Sequence, residues 1–379
     1  MERIYLDYAA TTPLDNQILK KMLPYFTEEF GNPNSPHATG RKAMAAVDDA
    51  RDTLARLLNA KPSEIFFTAG GTEADNWAVL GGAYAQREKG KTHVIVSQIE
   101  HHAVLSAAER LEKEGFDVTY LPVNEKGLVL PETLTAALTE KTGLVAVMLA
   151  NNEVGSVQDV QTLAKLTHEN GSIFFTDAVQ AAPYIPLDVK ALGVDMLSLS
   201  GHKFYGPKGV GALYIKSGVK VWAHALGGEQ ERGLRGGTTN VPMTVGLAAA
   251  FEKNGATMSA MNEKLSALRA LFLEEISTLE GIQVNGENAL PAILNIRVVG
   301  VDNVALLYKL DLQGVSAAAG SACASASVLP SHVLTAMGLT KEEANECIRL
   351  SFGKHTTQEE VIKAAKIFKE IVLNLREKF

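Results

Sequence analysis

A histidine and a lysine stand side by side in the segment SLSGHKFYGPKGVGALYI, Ser198 to Ile215. The residues before Lys203 form an apolar run typical of a buried strand, and those after it carry three glycines and a proline. Glycine lets the backbone approach a bound group closely. An amine at such a strand end is a candidate nucleophile toward a carbonyl compound, whereas a solvated surface lysine is the simpler interpretation.

Other strand-like runs are also followed by groups that could bind a ligand. After IFFT, Gly71 and Thr72 open a helix and offer N–H groups, a hydroxyl and the positive end of the helix dipole to an anion. His101 follows HVIVSQ, and Asp177 follows a second IFFT. A glycine turn, a structural histidine and a surface carboxylate are the simpler interpretations. Ligands of open α/β sheets bind beyond the carboxyl ends of the strands, which predicts one shared site.

One ligand accounts for all these groups. An anion cradle, a flat ring surface, an acid and an amine match pyridoxal phosphate, which has a phosphate, an aromatic ring, a basic ring nitrogen and an aldehyde. In this interpretation Asp177 keeps the ring nitrogen protonated, His101 stacks on the ring and Lys203 forms the Schiff base. The phosphate ligands would be Gly71, Thr72, Ser200 and His202.

The elements that would position these groups alternate between strand and helix from residue 65 to 215. Helical patterns separate most of the strand-like runs IFFT, HVIVSQ, VTYLPV, LVAVMLANN, IFFTDAVQ, MLSLSGHK and GALYI. Strands alternating with helices indicate an α/β fold whose large domain has a mostly parallel sheet between helices.

The pattern changes beyond about residue 255, where a long amphipathic helix begins. A short strand, ILNIRVV, a loop of small residues and a C-terminal helix from Gln358 to Arg376 follow. We therefore expect a large domain of residues 16–258 and a smaller α+β domain of residues 1–15 and 259–379. Cys347, in NECIRL, is predicted to lie in a helical context and to belong to the core.

Composition excludes several classes of protein. The chain has 379 residues, 46% of them hydrophobic, enough for a large core. With 36 basic and 43 acidic residues the net charge is −7, which does not favour direct nucleic-acid binding. The N-terminus, MERIYLDYAATTP, has no apolar signal region and no run is long enough for a membrane span, so a cytoplasmic protein is expected. Two cysteines cannot form a four-ligand zinc site, and no metal site is predicted.

Ten motifs in order resemble the cysteine desulfurases of the NifS/IscS type, in the class V aminotransferase branch of the fold-type I pyridoxal-phosphate enzymes. The motifs are YLDYAATTP, GNPNSPH, FTAGGTEADN, EHHAV, NNEVG, TDAVQ, SGHKFYGPKG, RGGTTN, GSACASAS and IRLSFG. The resemblance implies a phosphate-binding Thr72, a stacking His101, a pyridine-binding Asp177, a ring-contacting Gln180 and a Schiff-base Lys203.

The resemblance also implies roles outside the cofactor. Asn152 and Arg349 match the residues that bind the substrate carboxylate, and Thr238 matches a threonine that the partner subunit of a homodimer contributes. Cys323 matches the nucleophile that receives sulfur. From the residues alone, its loop of small residues fits either an accessible nucleophile or a tightly packed buried cysteine.

The implied reaction converts L-cysteine to L-alanine and leaves the sulfur as a persulfide on Cys323, with Lys203 taking the Cα proton and His101 as proton carrier. The sulfur acceptor would be an iron–sulfur scaffold or a tRNA-thiolation enzyme. The alternatives are a selenocysteine lyase, another class V enzyme such as an aminotransferase, and a sulfur-carrier scaffold that needs an activator. Ala324 and Lys354-His355 depart from the family pattern, which bears on loop dynamics and partner choice.

Overall fold

The computed structural model describes residues 3–286, 289–320 and 330–377. The strands are β1 (Ile4–Tyr5), β2 (Ile65–Thr68), β3 (His93–Ser97), β4 (Asp117–Leu121), β5 (Thr142–Ala146), β6 (Ile173–Asp177), β7 (Met196–Ser200), β8 (Gly211–Ile215), β9 (Ile282–Asn285), β10 (Ile293–Val298), β11 (Val315–Ser316) and β12 (Cys347–Ser351). The α-helices are α1 (Asn16–Met22), α2 (Pro24–Thr27), α3 (Ala38–Leu58), α4 (Gly71–Asn76), α5 (Gly82–Arg87), α6 (His102–Lys113), α7 (Pro131–Ala137), α8 (Val160–Glu169), α9 (Val189–Leu192), α10 (Val241–Glu275), α11 (Asn303–Leu312), α12 (His332–Ala336), α13 (Lys341–Ala344) and α14 (Gln358–Arg376).

Seven strands form the central sheet in the order β2-β8-β7-β6-β5-β3-β4. The pairs from β4 to β7 are parallel, while β8 runs antiparallel to both β7 and β2. All seven predicted runs lie in this sheet, and the predicted α/β class with a mostly parallel sheet is confirmed. The carboxyl ends of β2, β3, β5, β6 and β7 therefore share one edge.

Both faces of the sheet are buried under helices, which explains why its strands read as continuous apolar runs. Successive side chains point to opposite faces, so Phe174 belongs to the hydrophobic cluster that includes Leu54 of α3, and Phe175 to the one that includes Leu111 of α6. Both phenylalanines are fully buried, and burying a side chain of this size contributes about 2–3 kcal/mol. The sheet is thus a rigid platform for the loops at its edge.

The remaining strands form two smaller sheets in which the two ends of the chain meet. β12, β10 and β9 make an antiparallel sheet, and β1 pairs in parallel with β11. One helix, α10, runs through the predicted boundary at residue 258 and begins 17 residues before it, at Val241. The division into domains at residues 15 and 258 stays a prediction. Across the described ranges, no helix combines the length and apolar character that crossing a membrane requires.

The predicted helical context of Cys347 is wrong. Cys347 opens strand β12, where it pairs with Arg297 of β10. A five-residue segment is too short for its periodicity to distinguish a strand from a helix, and here the pairing with β10 decides. Its predicted place in the core is confirmed, since the side chain is buried.

A substitution at Gly211 tests how closely strand β8 approaches the sheet edge that carries the candidate site. A Cβ there would lie 2.7 Å from the carbonyl carbon of Gly70 and closer still to the oxygen of Leu199. We expect Gly211→Ala to lower the free energy of unfolding by about 1–3 kcal/mol, measured by urea denaturation. Gly255→Ala is the matched control, because Gly255 is exposed on helix α10 and no atom outside its own helical turn lies within 4 Å of its Cβ position. It should stabilise the chain by roughly 0.5–1 kcal/mol. Equal stability of the two variants would contradict the close approach.

Candidate active site

One enclosed cavity at the carboxyl edge of the sheet brings together most of the predicted site residues. Its volume is about 200 Å³, and loops after β2, β3, β5, β6 and β7 contribute to its wall. The predicted residues that line it are Gly71, Thr72, His101, Asn152, Asp177, Gln180, Ser200, His202, Lys203 and Arg349. The structure therefore brings the strand-end residues together with Arg349, which only the family resemblance had suggested, around a single space.

A larger open cavity of about 630 Å³ adjoins the first. Gly71, Thr72, Ser200 and His202 line both, so the predicted phosphate ligands stand where the two cavities meet. Gly71 is the first residue of α4, and helical backbone continues from there to the end of α5. The free N–H groups at this end suit an anion. A Cβ on Gly71 would lie 2.9 Å from Val179, so only glycine allows this approach.

Lys203 is held by the N-terminal segment of the chain. Its Nζ donates hydrogen bonds to the carbonyl oxygens of Ala9 and Ala10, at 2.6 and 3.0 Å. Next to it, His202 Nδ1 lies 3.1 Å from the hydroxyl of Thr11. Burial, followed by the charges of Lys203 and Lys208, lowers the pKa of His202 to about 4. His202 is therefore neutral at pH 7 and offers a hydrogen bond rather than a charge.

His101 caps the N-terminus of α6. Its Nδ1 accepts a hydrogen bond from the Ala103 amide at 3.1 Å. Burial is the main reason that its pKa falls to about 4, and the Lys203 charge lowers it further. A neutral ring whose Nδ1 is an acceptor carries its hydrogen on Nε2. His101 thus presents a neutral, fixed ring to the cavity.

Asp177 ends β6 at the floor of the cavity and is buried. Its Oδ1 accepts from the Val179 amide at 2.8 Å and lies 3.5 Å from Ser198 Oγ. Burial raises its pKa to about 6, opposed by the Val179 amide and the positive charge of Lys203. At neutral pH the balance leaves Asp177 ionised, as a partner for a cationic ring nitrogen must be.

Arg349 lies on β12, and its side chain is only 1% exposed. One terminal nitrogen donates to Asp7 at 2.7 Å and the other donates to the carbonyl of Asn152 at 2.8 Å. Its Nε is buried and has no hydrogen-bond partner among the described residues. A planar guanidinium with a donor to spare, lining a cavity, suits a carboxylate.

Two predicted residues lie elsewhere. Thr238 lines a separate pocket beside Arg235, and in this chain it does not line the cavity of Lys203. Its role in a partner subunit's site stays a prediction. Cys323 lies outside the described residues. Cys347 is no substitute for it, because burial raises the pKa of its thiol to about 11 and its Sγ donates to the carbonyl of Glu343.

Asp7, Asp75 and Glu100 were given no role in the sequence analysis. Asp75 follows Gly71 by four residues on α4, which puts both on the same face, so helical spacing was a usable signal. Asp7 meets Arg349 across 342 residues of sequence, and no local pattern predicts such a contact.

Several known proteins are similar to this chain in sequence. Residues 4–363 match the model of the aminotransferase class-V family. The chain is 46% identical to cysteine desulfurase IscS of Clostridium botulinum strain Hall, over 99% of this chain and 96% of that one. It is 47% identical to putative cysteine desulfurase IscS 1 of Bacillus subtilis strain 168, over 99% and 100%.

Solved structures show the same likeness. A NifS-like protein superposes with a TM-score of 0.92 at 37% identity, covering 98% of this chain and all of that one. SspA in complex with cysteine superposes with a TM-score of 0.83 at 38% identity, covering 93% and 100%. The chain belongs to the aminotransferase class-V family. Within that family it is a member of the cysteine desulfurase group.

The pH dependence of stability tests whether Glu100, beside the cavity, is protonated in the folded chain. Its carboxyl is fully buried, and burial raises its pKa from 4.5 to about 8. The folded chain then holds a proton that the unfolded chain releases, so this group makes stability fall as pH rises from 4.5 to about 8. Glu100→Gln copies the protonated form. We expect the variant to lose less unfolding free energy than the wild type over this range, by roughly 2–4 kcal/mol, in urea titrations.

Glu109→Gln, which changes an exposed side chain on the following helix, α6, is the control for that measurement. It should leave the pH dependence as in the wild type. If Glu100→Gln and the wild type lose stability in parallel, Glu100 is ionised in the folded chain.

Proposed function

We propose that this chain is a pyridoxal-phosphate-dependent cysteine desulfurase, which converts L-cysteine to L-alanine and keeps the sulfur as a persulfide on Cys323. The observation that carries the proposal is the shared cavity of Lys203, Asp177, His101 and Arg349. It combines an amine, a buried carboxylate, a neutral ring and a carboxylate-binding cation. The names of the relatives and the cysteine bound to SspA agree with this choice.

The residues of the cavity fit the cofactor. The oxygen of the Gln180 side chain is buried and has no hydrogen-bond partner among the described residues, so it can accept a bond from a bound ligand. The anion cradle at Gly71 and Thr72 has room because Gly71 has no Cβ. Ser200 and His202 complete the phosphate site, and Asp177 provides the anion for the pyridine nitrogen.

When bound, pyridoxal phosphate supplies an electron sink for the negative charge that develops on the substrate carbon. Arg349 and Asn152 orient the substrate by its carboxylate. Lys203 Nζ is the base for the Cα proton. His101 would lie against the cofactor ring, and it offers its Nε2–H as a hydrogen-bond donor because a pKa of about 4 leaves it neutral. In this neutral state His101 holds a proton on Nε2 and can direct it to the substrate without being a charged acid.

Cys323 is the nucleophile of the sulfur step. Its thiolate attacks the sulfur of the substrate, so that a sulfur–sulfur bond forms and the carbon–sulfur bond breaks. The carbon keeps the electron pair and is protonated, which gives alanine. The enzyme thiol and cysteine thus become enzyme persulfide and alanine, with atoms and electrons balanced.

The proposal also includes the oligomeric state, the sulfur acceptor, the cellular location and the two domains. A second copy of the chain forms a homodimer and contributes Thr238 to the neighbouring site. An iron–sulfur scaffold or a tRNA-thiolation enzyme takes the sulfur, and the protein works in the cytoplasm. Residues 16–258 form the cofactor-binding domain, and residues 1–15 and 259–379 form the smaller one.

Replacing Lys203 tests the cofactor assignment. Lys203→Ala removes the amine that would bond to the cofactor, so the visible absorbance of the purified protein should be lost and the cofactor should wash out on dialysis. The fold should persist, as measured by thermal unfolding. Lys220→Ala, at an exposed position, is the control and should keep the absorbance. A coloured, active Lys203→Ala protein would refute the assignment.

Replacing Cys323 separates sulfur transfer from cofactor binding. Cys323→Ala should still bind the cofactor and change its absorbance on addition of cysteine, because Lys203 and Arg349 are intact. Persulfide and alanine should both disappear, measured by thiol labelling and amino-acid analysis. Cys347→Ala is the control and should form both products. If Cys323→Ala still releases alanine and sulfide at the wild-type rate, the chain is a different lyase, such as a selenocysteine lyase.

A further inference from the structure

Three buried carboxyls interact at the cavity, and two of them, Asp75 and Asp177, line it. Asp75 is on α4, Glu100 lies between β3 and α6, and Asp177 ends β6; their residues are 2%, 0% and 5% exposed. Burial is the main reason that the pKa values of Asp75 and Glu100 are raised; the charge of Asp177 raises both further, and that of Glu100 also raises the pKa of Asp75. Several like charges at such close range are unfavourable, so the cluster cannot be fully ionised.

Ser198, on β7, joins two of these acids. Its Oγ lies 2.6 Å from Oδ1 of Asp75 and 3.5 Å from Oδ1 of Asp177. A hydroxyl has one hydrogen to donate. If Asp75 is ionised, that hydrogen points to Asp75. If Asp75 is protonated, Asp75 can donate to the hydroxyl and the serine hydrogen is free to point to Asp177.

The surroundings place the negative charge on Asp177. Asp177 also accepts from the Val179 amide, and the cation of Lys203 favours its ionised form. Asp75 has only the serine to favour ionisation, and burial puts its pKa well above the ordinary value.

Glu100 keeps its proton for the same reason. Its Oε1 accepts from Ser97 and from the Met148 amide, at 2.5 and 2.7 Å. Its Oε2 is buried and unpartnered within the described ranges, which suits a protonated oxygen better than a charged one. His101, which lines the same cavity, is neutral.

We propose that Asp75 is a positioning residue for the cofactor site: it stays protonated, donates to Ser198 and so turns the serine hydroxyl toward Asp177. The single charge of the cluster then stays on Asp177, which lines the cavity at the end of β6 and has the Lys203 cation nearby. This rests on the proposed function, because it concerns how Asp177 is kept ready for a cationic ring nitrogen.

Infrared spectroscopy of the purified holoenzyme tests the position of the proton. A protonated carboxyl has a carbonyl stretching band that a carboxylate lacks. At neutral pH, Asp75→Asn should remove one such band and Glu100→Gln should remove another, while Asp177→Asn should remove neither. If Asp75→Asn leaves the bands of the wild type unchanged, Asp75 is ionised and the proposal is overturned.

Cofactor retention tests the consequence. Asparagine can donate through its amide, as a protonated Asp75 does, so Asp75→Asn should bind pyridoxal phosphate within about twofold of the wild type. Asp75→Ala and Ser198→Ala each remove a link, and each should bind it about three- to tenfold more weakly, the usual effect of one hydrogen bond. If Asp75→Asn binds as weakly as Asp75→Ala, the negative charge of Asp75 is what matters, and the proposal fails.

The infrared and cofactor-binding experiments remain informative if a variant is unstable or if the proposed function is wrong. The infrared arm uses only near-isosteric replacements and no substrate, so it reports the proton on Asp75 whatever reaction the chain catalyses. If the chain does not bind the cofactor through Lys203, the wrong proposal shows in the Lys203→Ala test and not in the infrared spectra. Loss of the Asp75 band together with that failure would leave the acid cluster established and remove only its link to the cofactor.

Discussion

The need to keep one negative charge on a buried Asp177 dominates the construction of this site. A carboxylate removed from water is stable only when it is paired or hydrogen-bonded. Here the strand end supplies the Val179 amide, the next strand supplies Ser198, and the following turn brings the cation of Lys203. Each of these groups comes from a different segment, so the charge depends on the correct assembly of the sheet edge. A cationic ring nitrogen would complete the same set of interactions.

The N-terminal segment ties this edge to the rest of the chain. The carbonyls of Ala9 and Ala10 hold the amine of Lys203, and Asp7 pairs with Arg349. Lys203 and Arg349 are thereby held by neighbouring residues, although Lys203 follows β7 of the central sheet and Arg349 lies on β12 of a smaller one. Because β1 also pairs with β11, a shift of this segment would move both functional groups together. The first residues of the chain are therefore part of the site.

Sequence reasoning succeeded where a local pattern carries the information. Apolar runs predicted all seven strands of the central sheet, and the strand-end rule placed Lys203 and Asp177 at one edge. It failed where long-range contacts decide. The segment of Cys347 became a strand because β10 lies beside it, and the burial of Glu100 depends on packing between β3 and the chain after β5. Whether an acid is paired, protonated or exposed is a property of the assembled fold, which no spacing in the sequence specifies.

The ion pair of Asp7 and Arg349 shows how a buried cation can be kept ready for an anionic substrate. A guanidinium without a partner would be costly at this depth, and Asp7 provides one before substrate arrives. The two side chains are unequally buried, at 19% exposure for Asp7 and 1% for Arg349. An incoming carboxylate must share the guanidinium or displace Asp7, and a displaced Asp7 can regain water. A partner as deeply buried as Arg349 could not be released in this way. The partial exposure of Asp7 therefore allows Arg349 to be paired before the substrate arrives and still to exchange Asp7 for the substrate carboxylate.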